Sequence, residues 1–270
     1  MMWPRLQLFE FNDVGWAPRA LRDTIVESLS RTLSWGHMLS GLVAPFEEFV
    51  RATGVSEVLD IGAGAGAPAR ILAHEIRRAG RVPPRFLLTD LHPQLDAWEE
   101  ARFALPHDIH FVAEPVDATH IPPAVGAGRA RMIINTFHHF PPALARSILA
   151  DAVEGSDGVF IAEAFDRNPL RFTTFMPVGA LALAANPFLS SRDRLAKALL
   201  TFASPVVVAV SLWDGFVSTL RTYQRDELEA MVAPLGDRFV WTWGRHDGAG
   251  YYFYGVPRDA KRTRIASASA

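Results

Sequence analysis

Val58-Leu59-Asp60-Ile61-Gly62-Ala63-Gly64-Ala65-Gly66 runs an apolar strand into three alternating glycines, and helical spacing over 69–79 follows at once. Glycine lets the backbone turn sharply and approach a ligand, and a helix starting at such a turn offers unpaired N–H groups. The spacing is G-x-G-x-G, not the G-x-G-x-x-G that seats a pyrophosphate. Asp60 sits at the strand end, just ahead of the first glycine. A carboxylate there suits a ligand with an ammonium group and repels a diphosphate. The stretch therefore points to a nucleotide-type ligand and away from dinucleotide hydride chemistry.

Working outward, short apolar runs alternate with helical stretches. Strands are expected at 58–61, 85–89, 109–112, 131–134 and 158–162, and helices at 69–79, 94–104 and 142–153. That alternation is the signature of a parallel sheet with right-handed crossovers. Residues 20–52 have helical apolar spacing, and Gly54 closes them as a glycine past a helix C-terminus does. Beyond Glu163 the rhythm breaks into two apolar runs, 175–189 and 196–213, interrupted by Pro177, Pro187 and Pro205. A helix at 225–232 and two aromatic-rich strands, 238–243 and 250–256, complete the pattern. A turn at His246-Asp247-Gly248 would make those strands an antiparallel pair on the sheet edge. The expected fold class is α/β: a Rossmann-like three-layer sandwich with a mainly parallel seven-stranded sheet and an antiparallel edge strand. Helical caps are expected at the N-terminus and after the fifth strand.

Over 57–163 the sequence resembles the class I S-adenosylmethionine-dependent methyltransferases of bacterial small-molecule type. Asp60, Gly62, Ala63, Gly64 and Gly66 match their first motif. Asp90 matches the acidic end of the second strand, which in that family holds the ribose hydroxyls, and Leu91 would then lie against the adenine. Asp90 follows Gly66 by 24 residues, close to the offset of about 20 for ribose recognition in this topology. Asp117-Ala118 resembles the third motif, which faces the adenine edge, and Asn135-Thr136-Phe137-His138-His139-Phe140 the segment after the fourth strand. The resemblance implies S-adenosyl-L-methionine as cofactor, S-adenosyl-L-homocysteine as product, and no metal. Asp60 and Asp117 also admit a plainer reading as caps of their turns.

Methyl transfer leaves the protein to align the acceptor and exclude water. Candidate bases lie at strand C-terminal ends: His138 first, then Glu163, with His139 and Asp166 beside them. Glu163 could equally be buried against an arginine such as Arg167, and at least one of the histidines could be a packed, hydrogen-bonded side chain. Candidate substrate contacts are Trp16, Trp35, His37, Phe137, Asp166, Met176 and Trp213. Arg221 is expected in a structural ion pair.

Composition narrows the classes further. The 270 residues carry a net charge of -2 and no cysteine, which removes disulfides, thiolate metal sites and cysteine nucleophiles together. No basic field favours nucleic acid, and Asn135 is followed by Thr136-Phe137 rather than by the prolines of nucleic-acid methylating motifs. The expected partner is a hydrophobic small-molecule acceptor, with O-methylation favoured over N- or C-methylation, in a cytoplasmic monomer or homodimer. The expected division is an N-terminal helical lid (1–53), a binding core (54–164 and 223–258), an apolar helical insertion over the substrate (165–222) and a disordered tail (259–270). The apolar runs are broken by proline, so no stable transmembrane span is expected, while peripheral membrane contact stays open. The competing class is a non-catalytic protein of this fold that binds a membrane or partner through the insertion.

Overall fold

The expected strands all form: β1 (Glu57–Ile61), β2 (Arg85–Thr89), β3 (Ile109–Phe111), β4 (Ala130–Ile134), β5 (Val159–Glu163), β6 (Phe239–Arg245) and β7 (Tyr251–Pro257). The computed structural model describes residues 3–11, 18–190, 192–246 and 250–259. Trp16, the turn residues 247–248 and the tail from 260 onward lie outside the described residues. The helices are α1 (Arg19–Trp35), α2 (Val43–Thr53), α3 (Ala67–Arg78), α4 (Leu95–Ala104), α5 (Pro123–Gly126), α6 (Pro142–Gly155), α7 (Pro169–Phe172), α8 (Met176–Leu189), α9 (Arg194–Phe202), α10 (Val206–Arg221) and α11 (Arg225–Val232).

One seven-stranded sheet has the order β3-β2-β1-β4-β5-β7-β6. β1 to β5 pair in parallel. β4 and β5 are buried at every position, as parallel strands covered on both faces must be. β7 runs antiparallel to both β5 and β6. The antiparallel strand is thus one in from the edge, and β6 occupies the edge itself. With helices flanking the sheet, the fold is a Rossmann-like α/β arrangement.

The chain packs as two compact units, residues 39–164 with 224 onward, and residues up to 38 with 165–223. The segment 1–53 therefore divides between them: α1 belongs to the helical unit and α2 to the sheet unit. The reason is aromatic. Phe46 of α2 stacks on Phe86 of β2 at 5.8 Å and meets Phe160 of β5 edge-on at 5.4 Å. Phe49 packs on Phe160 and on Tyr254 of β7. Offset and edge-to-face pairs of this kind add to the area they bury. α2 ends at Gly54, whose φ of 77° lets its N–H reach back to the Val50 carbonyl.

The helical unit encloses a small core of Leu21 and Ile25 from α1, Leu183 from α8, and Val207 and Val210 from α10. The segment 3–11 runs along α10. Leu6 N–H donates to the Leu220 carbonyl and Phe11 N–H to the Asp214 carboxylate. Arg221 pairs with Glu10 at 3.1 Å, both buried. Further hydrogen bonds help make burial of that pair tolerable: Arg221 Nε donates to the Leu8 carbonyl and Ser218 Oγ to Glu10.

Phe46→Ala should lower the unfolding free energy of the sheet unit by about 3–5 kcal/mol, because the cavity would open between α2 and the strands β2 and β5. Chemical denaturation read by near-ultraviolet circular dichroism measures this.

Candidate functional site

The sheet unit places the candidate ligand residues together at the C-terminal ends of β1, β2 and β4. Its centre is the glycine turn. Gly62, Gly64 and Gly66 have φ of 65°, 53° and 74°, the left-handed region that side chains disfavour. Sterics select glycine again at two of them. A Cβ on Gly62 would lie 2.6 Å from Thr136 Cγ2, and one on Gly66 would lie 2.9 Å from Leu88 Cδ1. At Gly64 the same position looks into open space.

Three side chains hold this turn. Gly64 N–H donates to Asp90 Oδ2 at 2.9 Å, and the Gly64 carbonyl accepts from Trp98 Nε1 at 2.7 Å. Thr136 Oγ1 donates to the Gly62 carbonyl at 3.0 Å. Below the turn, Thr89 Oγ1 donates to the Asp60 carbonyl and Ala63 N–H to the Thr89 carbonyl. Nothing in the sequence marks Trp98 or Thr136 as supports. Trp98 stood in a plain helical stretch, although a fully buried tryptophan must find a partner for its indole N–H.

Two carboxylates meet here. Asp60 is almost fully buried, and among the described residues its Oδ2 has no hydrogen-bond partner. Burial first, and the neighbouring Asp90 second, push its carboxyl well above the usual aspartate range. Asp90 accepts one hydrogen bond on each oxygen, from Gly64 N–H and from His92 N–H at 2.8 Å. A carboxylate has about four lone-pair sites, so acceptor capacity remains. Leu91 beside it is exposed. Val116 N–H donates to the Asp90 carbonyl, which brings Asp117-Ala118 to the same strand end. Asp117 Oδ1 accepts from the Thr119 N–H and hydroxyl, and the first of these does most to hold its carboxyl below the usual range.

After β4, Asn135 takes a φ of 56°, uncommon for a side-chain-bearing residue. Its Oδ1 accepts from Ala164 N–H at 2.7 Å, while its buried Nδ2 has no partner among the described residues. The 3-10 turn Phe137–His139 follows. His138 Nδ1 lies 2.9 Å from Glu163 Oε2, and His138 N–H donates to Glu163 Oε1 at 3.0 Å. Both side chains are buried. Glu163 therefore pairs with His138, and Arg167 spends its Nε on the Thr222 carbonyl. His139 stacks on His138 at 4.3 Å. Phe137 is fully buried against Phe140. His246, which the sequence marks only as a turn residue, places Nε2 3.0 Å from the Glu163 carbonyl.

The other sequence candidates belong to the helical unit. Trp35 and Met176 are exposed, and His37 has a φ of 49°. Asp166 pairs with Arg171 at 2.8 Å. Trp213 donates its indole N–H to the Phe9 carbonyl.

No family profile matches this chain, and no curated protein does. Solved structures match its fold. A proposed O-methyltransferase from Nostoc punctiforme superposes with a TM-score of 0.53 at 15% identity, over 94% of this chain and 64% of its own length. TnmH superposes with a TM-score of 0.52 at 16% identity, over 89% and 59%. The chain thus spans less than two thirds of either protein. Magnesium protoporphyrin IX methyltransferase from Synechocystis, solved with S-adenosylhomocysteine, gives 0.48 at 12% identity, over 91% and 88%. The fold is that of the class I S-adenosylmethionine-dependent methyltransferases.

Because the Asp60 carboxyl is raised in the folded chain, its contribution to stability is full below the ordinary aspartate pKa and is lost as pH rises through the raised value. Asp60→Asn should therefore raise the melting temperature of the ligand-free protein at neutral pH and flatten that part of its pH dependence. Calorimetric scans across pH measure both, and an unchanged or lowered melting temperature would contradict the assignment.

Proposed function

We propose that the protein binds S-adenosylmethionine at the glycine turn and directs its methyl group to a hydrophobic small-molecule acceptor, with oxygen the favoured acceptor atom. The reading is carried by one observation: a buried, incompletely satisfied Asp60 carboxylate beside Asp90, around a G-x-G-x-G turn. A cation offsets the cost of that buried charge, whereas a pyrophosphate adds to it.

The residues present fit such a ligand. Asp90 has acceptor capacity for ribose hydroxyls, and Leu91 offers an apolar contact for adenine. The Asp117-Ala118 segment, tied to the same strand end, suits the adenine edge. The unsatisfied Asn135 Nδ2 is a donor that a ligand carboxylate would complete. Bound cofactor would supply an electrophilic methyl on a sulfonium, with S-adenosylhomocysteine as product.

The rest falls to the chain. Glu163, acceptor-only when ionised, accepts a hydrogen bond from His138 Nδ1–H, a tautomer inferred from that partner. His138 Nε2 is then the ring nitrogen with the lone pair, suited to hold the proton an acceptor hydroxyl gives up. Glu163 acts as a positioning residue, and the backbone bond from His138 N–H locks its carboxylate in place. The apolar composition of residues 165–222 supports a hydrophobic acceptor.

Isothermal titration should detect S-adenosylmethionine and S-adenosylhomocysteine, and Asp90→Ala should weaken both roughly 10–100-fold through lost charge-assisted hydrogen bonds. No binding at millimolar cofactor, or tighter binding of a nicotinamide dinucleotide, would sink the proposal. In an acceptor screen read by S-adenosylhomocysteine release, His138→Gln should cut kcat by about 10²–10⁴-fold while leaving cofactor affinity unchanged.

A further inference from the structure

The helix α9 is turned inside out for a protein face in water. Lys197, its one lysine, is only 1% exposed and pairs with Glu27 of α1 at 2.7 Å. Leu195, Leu199 and Phe202 share the opposite side, and Leu195 is 75% exposed. The end of α8 adds Phe188 and Leu189, both exposed, with the Phe188 and Phe202 rings 6.0 Å apart. Two adjacent helices thus present one apolar knob outward.

The inversion is built in by the polar side of α9. Ser190 hydrogen-bonds Glu27, and Arg31 bonds the side chain of fully buried Asn186 and lies 3.5 Å from Glu27. This network ties α1, α8 and α9 together, and turning Lys197 outward would cost it the pairing with the half-buried Glu27 carboxylate that meets its own buried charge. The outward face of α9 is consequently apolar by construction.

The geometry points to a lipid bilayer surface as the occupant of this knob, held in the interfacial plane. Between Arg171 and Asp214 the only charged residues are Arg192, Asp193, Arg194 and Lys197. With Lys197 turned inward, the α8–α9 turn carries a net positive charge beside the apolar knob, which matches anionic headgroups above acyl chains. A second copy fits less well. A two-fold contact centred here would set Arg192 and Arg194 against their own equivalents. The adjoining helical run Pro169–Leu189 has 21 residues and is apolar enough to cross a membrane, yet only 22% of its apolar window is buried. The run Arg194–Phe202 with Val206–Arg221 is also long and apolar enough to cross, but bends by 80° at its break, a shape suited to lying in an interface.

The test is flotation of the full chain with vesicles of phosphatidylcholine alone and of phosphatidylcholine with phosphatidylglycerol. The wild type should float with the mixed vesicles, and the pair Leu195→Glu, Phe202→Glu should lower the bound fraction at least about tenfold. Both positions are exposed, so unfolding midpoint and helicity should hold. Arg192→Glu should weaken binding to the anionic vesicles and leave the neutral ones unaffected. Absence of wild-type flotation, or equal flotation of wild type and double variant, overturns the proposal. So does a concentration-dependent dimer in sedimentation that the double variant abolishes, since that assigns the face to a second copy.

Discussion

A carboxylate buried at the end of β1, with an oxygen that the described chain does not satisfy, is a standing cost in the folded state. Everything around the glycine turn is arranged so that this cost persists. Thr89 holds the Asp60 backbone from β2, Thr136 holds Gly62 from beyond β4, and Asp90 with Trp98 hold Gly64 on both sides. A turn pinned from three elements cannot relax to cover Asp60. Under the proposed function this unmet group is electrostatic preorganisation: the turn is built before the ligand arrives, and a positive charge on the ligand would complete it.

The pair His138–Glu163 follows the same logic one strand further along. Parallel strands β4 and β5 end together, so the residues just past them fall side by side. The backbone N–H of His138 fixes one carboxylate oxygen and its ring meets the other. Here the two side chains satisfy each other where they meet, in contrast with Asp60 Oδ2, which has no partner among the described residues.

Around α9 the helical unit inverts the usual placement of its residues. Lys197, Asn186 and Ser190 are buried about the half-buried Glu27, while Leu195, Leu199, Phe188 and Phe202 stand outside. Periodicity in the sequence detects that α9 is two-sided but not which side faces inward, because apolar and polar faces alternate identically in either case. The partner of Lys197 is 170 residues away on α1, and only packing reveals it.

Much of the sheet was legible beforehand. The strands and their order of type followed from apolar runs bounded by helical stretches; the three glycines were readable because a left-handed turn demands them, and Asp60 and Asp90 because acidic residues at those strand ends match a known family motif. What the sequence by itself determined was therefore local: a strand, a left-handed glycine turn, a helix start, and acidic residues at strand ends. Tertiary structure alone decided that α2 joins the sheet through Phe46 and Phe49 while α1 joins the insertion, that Trp98 and Thr136 brace the turn, that Glu163 takes His138 rather than Arg167, and that Lys197 points inward. Each of those choices is a contact between residues far apart in the chain, and its outcome depends on which surfaces the whole fold brings together and buries.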